Sequence, residues 1–349
     1  MESTQDLSNN TTLTSTQQAQ IMAAADILRA GGTVAFPTET VYGLGADITN
    51  ASAISKIYRI KQRPVDHPLI VHISNLSQLA YWVQEIPDAA WTLARHFWPG
   101  ALTLILPRSR HVPDNVTGGQ DTVGIRVPAH PVALALLDTL GPHRALVAPS
   151  ANRFGRISPT TAAHVQEELG SDVDMILDGG ACDVGLESTI IRICNDSVTV
   201  LRPGGIPLSA LESVLDQPVT LAHKAISAIR TSGALPSHYA PDTPLSLYPA
   251  EQIWQSALKL AHENYRILVL TWSDTNKIPP INPFIEHYSM PSDPIAYGRQ
   301  LYAQLRQLDH SGFDHIFVEM PPDQPAWLAI TDRLERASYN QFDKKHEHK

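Results

Sequence analysis

Three short segments of the chain combine basic side chains and hydrogen-bond donors in patterns that suit an anionic ligand. Lys61 and Arg63 are one residue apart, and Arg offers a planar fork of donors where Lys offers a compact charge. Ser150 and Asn152 follow a predicted buried strand and can direct hydroxyl and amide groups at phosphate or ribose. Arg126 lies in an otherwise apolar predicted strand and therefore needs an anionic partner.

Each of these patterns has a structural alternative that the residues alone leave open. A lone Lys-x-Arg is typical of a solvated helix end, and an isolated Ser-x-Asn is typical of a turn bonded to its own backbone. Arg126 fits a buried ion pair with a protein Asp or Glu equally well. The chain contains neither a Walker sequence nor a Gly-x-Gly-x-x-Gly fingerprint, and no Ser-His-Asp order or carboxylate pair stands out.

The elements that would position these side chains alternate between strands and helices, as in an α/β fold. Asn50 can cap a helix that Pro64 stops, which would place Lys61 and Arg63 at a frayed helix end. A hairpin near residue 195 makes the sheet mixed rather than purely parallel. Strands are predicted at 33–36, 69–73, 102–106, 122–127, 146–148, 175–177, 188–193 and 197–201, and helices at 21–28, 131–140 and 161–169.

The chain divides into two predicted domains, because 349 residues exceed the length that one hydrophobic core usually serves. The second is a small doubly wound unit with strands near 245–248, 266–270, 285–288 and 315–319 and helices near 251–263, 294–309 and 325–337. The predicted division is a polar tail at 1–17, a first domain at 18–216, a connector at 217–243, a second domain at 244–340 and a polar tail at 341–349.

Composition restricts the class of protein. The 26 Lys and Arg residues against 35 Asp and Glu residues give a net charge of −9, which argues against a protein that coats nucleic acid. Two cysteines form neither a disulfide framework nor a zinc site, and we expect both to be core thiols. The polar start lacks a signal peptide, and no apolar run reaches the roughly 20 residues that span a bilayer, so we expect a cytoplasmic protein with no membrane partner.

The motifs occur together in an order that identifies a family. The segments 37–44 (PTETVYGL), 61–64 (KQRP), 121–128 (DTVGIRVP), 149–152 (PSAN), 178–180 (DGG), 187–190 (ESTI) and 201–204 (LRPG) resemble those of the YrdC-like threonylcarbamoyl-AMP synthases. The match covers essentially the first 210 residues. The segment 238–241 (HYAP) and the small domain after it resemble the longer, two-domain branch of that family.

This resemblance implies a fold and a set of site residues. The fold would be a twisted, mixed, open YrdC-like sheet with flanking helices, followed by a smaller Rossmann-like α/β domain that covers or gates the site. Lys61 and Arg63 would be catalytic. The L-threonine site would contain Thr38, His72, Arg126, Ala148 and Ser188. The ATP site would contain Lys61, Arg63, Thr122, Ser150, Asn152, Ser158, Arg202 and His238.

The resemblance also implies the reaction: L-threonine, bicarbonate or CO2 and ATP give threonylcarbamoyl-AMP and pyrophosphate. A tRNA threonylcarbamoyl transferase complex would use this product to modify the adenosine of tRNAs that read ANN codons. Threonine's amine would take up CO2, and the carbamate oxygen would attack the α-phosphate. Mg²⁺ would be held by the nucleotide and water, so we assign no protein metal ligand.

Two other functions remain open at this stage. An RNA-binding or ribosome-associated module would use the local cluster of Lys56, Arg59, Lys61 and Arg63, so weak RNA contact is a possible partner interaction. A related carbamoyltransferase domain would use carbamoyl phosphate, but such enzymes usually carry acylphosphatase and zinc-finger modules that are not visible in this sequence.

Overall fold

A computed structural model describes residues 13–194, 197–222, 230–231, 233, 239–273 and 281–338. The first part of the chain forms a large mixed sheet in the strand order β10-β9-β8-β4-β5-β3-β6-β2-β1-β7. Its strands are β1 (Val34–Phe36), β2 (Gly43–Asp47), β3 (Ile70–His72), β4 (Leu102–Pro107), β5 (Thr122–Arg126), β6 (Leu146–Val147), β7 (Met175–Ile176), β8 (Thr189–Cys194), β9 (Ser197–Arg202) and β10 (Thr220–Leu221).

Helices cover the faces of this sheet and bury its apolar residues. They are α1 (Ser15–Arg29), α2 (Ala51–Lys61), α3 (Leu79–Trp82), α4 (Asp88–Phe97), α5 (Asp114–Thr117), α6 (Pro131–Leu140), α7 (Ala162–Leu169) and α8 (Leu208–Leu215). Asn50 caps α2 as predicted, since its side chain accepts from the amides of Ser52 and Ala53. The hairpin is also confirmed, because β8 and β9 pair in antiparallel fashion. The mixed sheet predicted from the sequence is therefore correct. Cys182 is buried, but Cys194 at the end of β8 is exposed, so the expectation of two core thiols is wrong for Cys194.

The second part of the chain forms a separate four-stranded sheet in the order β11-β14-β12-β13, and every neighbouring pair in it is parallel. Parallel pairing requires crossover connections, and the helices at 250–262 and 294–309 supply two of them. The elements are β11 (Leu245–Tyr248), α9 (Ala250–His262), β12 (Ile267–Thr271), β13 (Ile285–Ser289), α10 (Pro294–Asp309), β14 (His315–Glu319) and α11 (Leu328–Ser338). This is the small α/β domain that the sequence predicted.

The two sheets belong to units that pack on each other through apolar and buried polar contacts. Val41, Ile157 and Leu186 of the first unit lie in the same hydrophobic cluster as Leu301 and Ile330 of the second. The predicted connector begins with β10, which pairs in parallel with β9. None of the helices in the described ranges is both long and apolar enough to cross a membrane.

Candidate active site

A pocket of about 460 Å³, counted with its open mouth, lies where several strands of the large sheet end. β3 and β5 are parallel, and His72 stands opposite Arg126 at their carboxyl ends. β6 runs beside β3 in the opposite direction and leads into Ala148, whose amide donates to the Ile70 carbonyl. The pocket is lined by Thr38, Thr40, Val41, Gly43, Ile70, His72, Arg126, Ala148, Pro149, Ser150, Glu187, Ser188, Arg202 and Tyr239.

All five residues predicted for L-threonine therefore line one pocket, although they come from segments up to 150 residues apart. Thr38 Oγ1 donates to the Val41 carbonyl oxygen at 2.6 Å and accepts from the amides of Thr40 and Val41, so it holds the loop after β1. Ser188 Oγ lies 2.8 Å from Thr103 Oγ1 at the entrance to β8. Both hydroxyls are thus part of the pocket wall and of its hydrogen-bond network.

Arg126 forms a buried ion pair in this structure. Its Nη2 donates to Glu39 Oε1 at 2.5 Å and to Thr40 Oγ1 at 2.9 Å, and its Nε donates to the Gly100 carbonyl oxygen at 3.2 Å. The structural partner that the sequence left open is therefore Glu39. Within the described ranges Nη1 makes no hydrogen bond, so this part of the fork is available to a ligand in the pocket.

His72 is an uncharged residue of the pocket wall. Burial, with the positive charge of Arg126 beside it, lowers the pKa of His72 to about 3. Its Nδ1 lies 3.2 Å from the Ile70 carbonyl oxygen, which can only accept, so we assign the proton to Nδ1. Nε2 is then an acceptor, and His72 cannot bind a carboxylate as a cation.

Lys61 and Arg63 are buried, with 1% and 5% of their surface exposed. The alternative interpretation, that they lie at a solvated helix end, is therefore wrong for both. Lys61 ends α2, and its Nζ donates to the carbonyl oxygens of Ser150 and Asn152. Arg63 Nη2 donates to the Pro68 carbonyl oxygen at 2.9 Å, and its guanidinium lies over the Phe154 ring. Burial, then the neighbouring Arg63, lowers the pKa of Lys61 well below its usual value, and burial lowers the pKa of Arg63 to about 10.

Asn152, in the loop after β6, makes the local hydrogen bonds that are typical of a turn and also has an acceptor that suits a nucleotide. Asn152 Nδ2 donates to the carbonyl oxygens of Arg153 and Arg156 at 2.7 and 2.9 Å, so the side chain does bond to its own loop. Its Oδ1, in contrast, is buried without a hydrogen-bond partner in the described part of the chain. A buried acceptor of this kind suits a donor from a ligand, such as a ribose hydroxyl.

The other predicted nucleotide residues that the structure describes lie at this pocket or beside it. Arg202 donates through Nη2 to the Ser188 carbonyl oxygen at 2.7 Å. Ser158 Oγ donates to Glu187 Oε1 at 2.6 Å, so in this arrangement the hydroxyl is only an acceptor toward a ligand. Thr122 lines a neighbouring pocket that shares the Ile70 wall. His238 lies outside the described residues.

Two ionisable residues of the pocket wall, Glu187 and Tyr239, were not among the predicted site residues. Glu187 lines the pocket and is buried, although it lies in the ESTI segment that identified the family. Tyr239 is also buried and lines the pocket with a left-handed φ of 64°, although it follows His238 in the connector motif. Their neighbours in the motifs were the only sequence signal for either residue.

Comparison with known proteins identifies the family of this chain. A family model described as telomere recombination, covering Sua5, YciO and YrdC proteins, matches residues 26–204, and a model of the threonylcarbamoyl-AMP synthase C-terminal domain matches residues 206–338. The chain belongs to the two-domain threonylcarbamoyl-AMP synthase family. The YrdC-like first domain and the added C-terminal α/β domain that the motifs implied are therefore confirmed.

Several members of the synthase family are similar along nearly the whole chain. The threonylcarbamoyl-AMP synthase of Bacillus subtilis is 40% identical, with 93% of this chain and 94% of the relative covered. That of Pyrococcus abyssi is 36% identical, with 92% and 95% covered. The crystal structure of P. abyssi Sua5 complexed with L-threonine has a TM-score of 0.84 and 36% identity, and the match covers 92% of this chain and 94% of that one.

Proposed function

We propose that this chain is a synthase that makes threonylcarbamoyl-AMP and pyrophosphate from L-threonine, ATP and bicarbonate or CO2. One observation of the structure carries the site assignment: the five residues predicted for L-threonine line a single pocket together with Ser150 and Arg202. Relatives with this activity share 36–40% identity over more than nine tenths of the chain. The P. abyssi relative has been crystallised with L-threonine, which supports the same ligand here.

In this proposal the pocket orients threonine by offering a cation to its carboxylate and a neutral acceptor to its hydroxyl or amine. Arg126 would bind the threonine carboxylate with Nη1 while Glu39 holds the rest of the guanidinium in place. The neutral His72 would accept a hydrogen bond from the hydroxyl or the amine. Thr38 and Ser188 would complete the contacts, with the backbone at Ala148 beside them.

The chemical steps need positioning and charge neutralisation rather than a protein nucleophile. The neutral threonine amine would form a bond to CO2 and release one proton to water. An oxygen of the resulting carbamate would attack the α-phosphorus while the bond to pyrophosphate breaks. Lys61 and Arg63 would neutralise the charge that builds on the leaving pyrophosphate. Lys61 would have to exchange its carbonyl partners in the Ser150–Asn152 loop for phosphate oxygens, and Asn152, Ser158, Thr122, Arg202 and His238 would contact the nucleotide.

Mg²⁺ fits this proposal as an ion held by the nucleotide. Glu187 in the pocket wall and Glu39 beside the lining residue Arg126 are each paired with an arginine. In the described ranges the only cluster with metal-ligand geometry is Asp242, Asp309 and His310, which does not line the pocket. An ion at the pocket would therefore be bound by phosphate oxygens and water.

The product would be consumed by a tRNA threonylcarbamoyl transferase complex in the cytoplasm, where the two free cysteines of this chain would stay reduced. Direct RNA binding by the proposed basic cluster is disfavoured, because Lys61 and Arg63 are buried and Lys56 donates to the Gly31 carbonyl oxygen. Among these four residues, only Arg59 is exposed to solvent.

The test is pyrophosphate release by the purified chain with ATP, bicarbonate and magnesium, with and without L-threonine. We expect release that depends on threonine and is abolished or strongly reduced in Lys61→Ala and Arg63→Ala. Arg59→Ala, which removes an exposed cation from the same helix, should keep the activity and serves as the matched control. A folded wild-type protein without threonine-dependent release would refute the proposed function.

A further inference from the structure

Glu187 places a carboxylate in the wall of a pocket that is proposed to bind two anionic substrates. It immediately precedes Ser188, and its Oε1 accepts from Ser158 Oγ at 2.6 Å. An unpaired carboxylate at this position would repel both the threonine carboxylate and the phosphates. Some group must therefore neutralise it whenever the site binds its substrates.

The neutralising group comes from the other domain. Arg333 on α11 donates through Nε to Glu187 Oε2 at 2.7 Å, and the exposed side-chain fractions are 0% for Arg333 and 8% for Glu187. Tyr302 on α10 donates to the same oxygen at 3.0 Å. Burial alone raises the pKa of Glu187, but Arg333, Arg202 and the Ser158 hydroxyl together hold it below its usual value. Glu187 is therefore ionised and depends on Arg333.

Arg333 also contacts the second wall segment of the pocket. Its Nη2 donates to the carbonyl oxygen of Pro203 at 2.9 Å, and Pro203 directly follows Arg202. The same guanidinium thus bonds to the residue before Ser188 and to the residue after Arg202. Its remaining nitrogen, Nη1, donates to Asp332 Oδ2 at 2.6 Å, which fixes the guanidinium from its own helix.

The two domains are in close contact beside this arginine. Gly185 has a φ of 74°, and a Cβ atom there would lie 2.6 Å from the Cα atom of Arg299 on α10. A side chain at residue 185 would therefore push α10 away from the segment that carries Glu187. The backbone itself keeps α10 and Tyr302 within reach of the pocket wall.

We propose that Arg333 is a positioning residue for substrate binding: it neutralises Glu187 and fixes the two wall segments that carry Ser188 and Arg202. This assignment rests on the proposed function. It gives the C-terminal domain a direct part in shaping the substrate pocket. Arg333 does not line the pocket, so its effect passes through Glu187, Pro203 and the Tyr239 ring that its guanidinium covers.

The test measures L-threonine binding to the full chain by calorimetry and the KM for L-threonine in pyrophosphate release. Arg333→Gln should weaken threonine binding by roughly 2- to 30-fold, the range for residues that act through a network. Arg336→Gln is the matched control, since Arg336 is buried on the same helix and pairs with Asp332 but makes no hydrogen bond to Glu187. It should lose thermal stability as well and keep the wild-type affinity for threonine.

A second variant separates the neutralisation of the Glu187 charge from the packing of the Arg333 side chain. Glu187→Gln combined with Arg333→Gln removes both charges, so it should recover most of the threonine affinity that Arg333→Gln loses. Tyr302→Phe deletes one hydroxyl and keeps the ring beside Tyr239, so it gives a smaller loss of the same kind if Arg333→Gln does not fold.

The outcomes separate the two proposals. Wild-type affinity in folded Arg333→Gln, an equal loss in Arg336→Gln, or a double variant no better than Arg333→Gln would each overturn the role of Arg333. If Arg333→Gln does not fold, wild-type affinity in Tyr302→Phe would also overturn it. A wild-type chain that neither binds threonine nor releases pyrophosphate would instead refute the proposed function itself.

Discussion

Replacing Arg126 by methionine separates its structural role from its proposed role in binding threonine. The side chains of Arg126 and Glu39 are only 5% and 11% exposed, so the substitution leaves a buried carboxylate without its cation. Removing one partner of such a pair costs about 3–5 kcal/mol. For a domain of this size about 1 kcal/mol shifts the unfolding midpoint by about 2–4 °C, so we expect a decrease of about 6–20 °C.

The double variant Arg126→Met with Glu39→Gln decides between the two roles. Removing both charges should restore much of the thermal midpoint, since the carboxylate that lost its partner is gone. Threonine binding should stay lost, because the ligand carboxylate still lacks its guanidinium. Scanning calorimetry and titration calorimetry on the same samples measure both effects. If the double variant regains stability and threonine affinity together, Arg126 is only a structural partner of Glu39 and the proposed contact is wrong.

Three further predictions follow from the described contacts. With a folded pKa of about 3 and an unfolded pKa of about 6.5, His72 should make the wild type lose about 1.7 kcal/mol of unfolding free energy between pH 6.5 and pH 5, since the unfolded chain binds the extra proton. The pH-dependent unfolding of His72→Gln should show a shallower loss, and an equal slope would contradict the assignment. Asn152→Ala should raise the KM for ATP by about 2- to 13-fold per hydrogen bond lost and leave threonine binding unchanged, whereas an unchanged KM for ATP would exclude its nucleotide contact. Because Tyr239 lines the pocket, L-threonine with ATP should slow limited proteolysis of the connector, and an unchanged cleavage rate would refute its role over the site.

Helices and strands with a clear hydrophobic pattern between turn-forming residues could be predicted from the sequence almost residue by residue. The bounds of α6 and β14 agree with the prediction, because each is a strongly patterned segment between turn-forming residues. β2 was missed because Gly43 and Gly45 are poor strand formers. The structure explains Gly45: a Cβ atom there would lie 2.8 Å from the Phe36 ring on the paired strand.

The site shows which information a sequence does not contain. Motif order predicted one site, and seven of its residues do line one pocket: Thr38, His72, Arg126, Ala148, Ser150, Ser188 and Arg202. Lys61, Arg63, Thr122, Asn152 and Ser158 do not line that pocket, so their part in the site stays a prediction. Motif order did not predict that Lys61 is buried against the Ser150–Asn152 loop, because a helix end looks solvated until another loop covers it. The partners of Arg126 and Arg333 lie 87 and 146 residues away along the chain, and local patterns carry no information on such pairs.

The burial of Lys61 has a consequence for the energetics of nucleotide binding. A buried ammonium group next to Arg63 is less stable in its charged form than the same group in water, although it donates to two carbonyl oxygens. A polyphosphate that arrives beside it reverses this, so its pKa rises and the complex holds the proton more tightly. ATP binding should then take up protons from the solution to the extent that Lys61 is deprotonated in the free enzyme. The apparent binding enthalpy would vary with the ionisation enthalpy of the buffer. The affinity for the nucleotide would also depend on pH through a lysine that is buried in the structure.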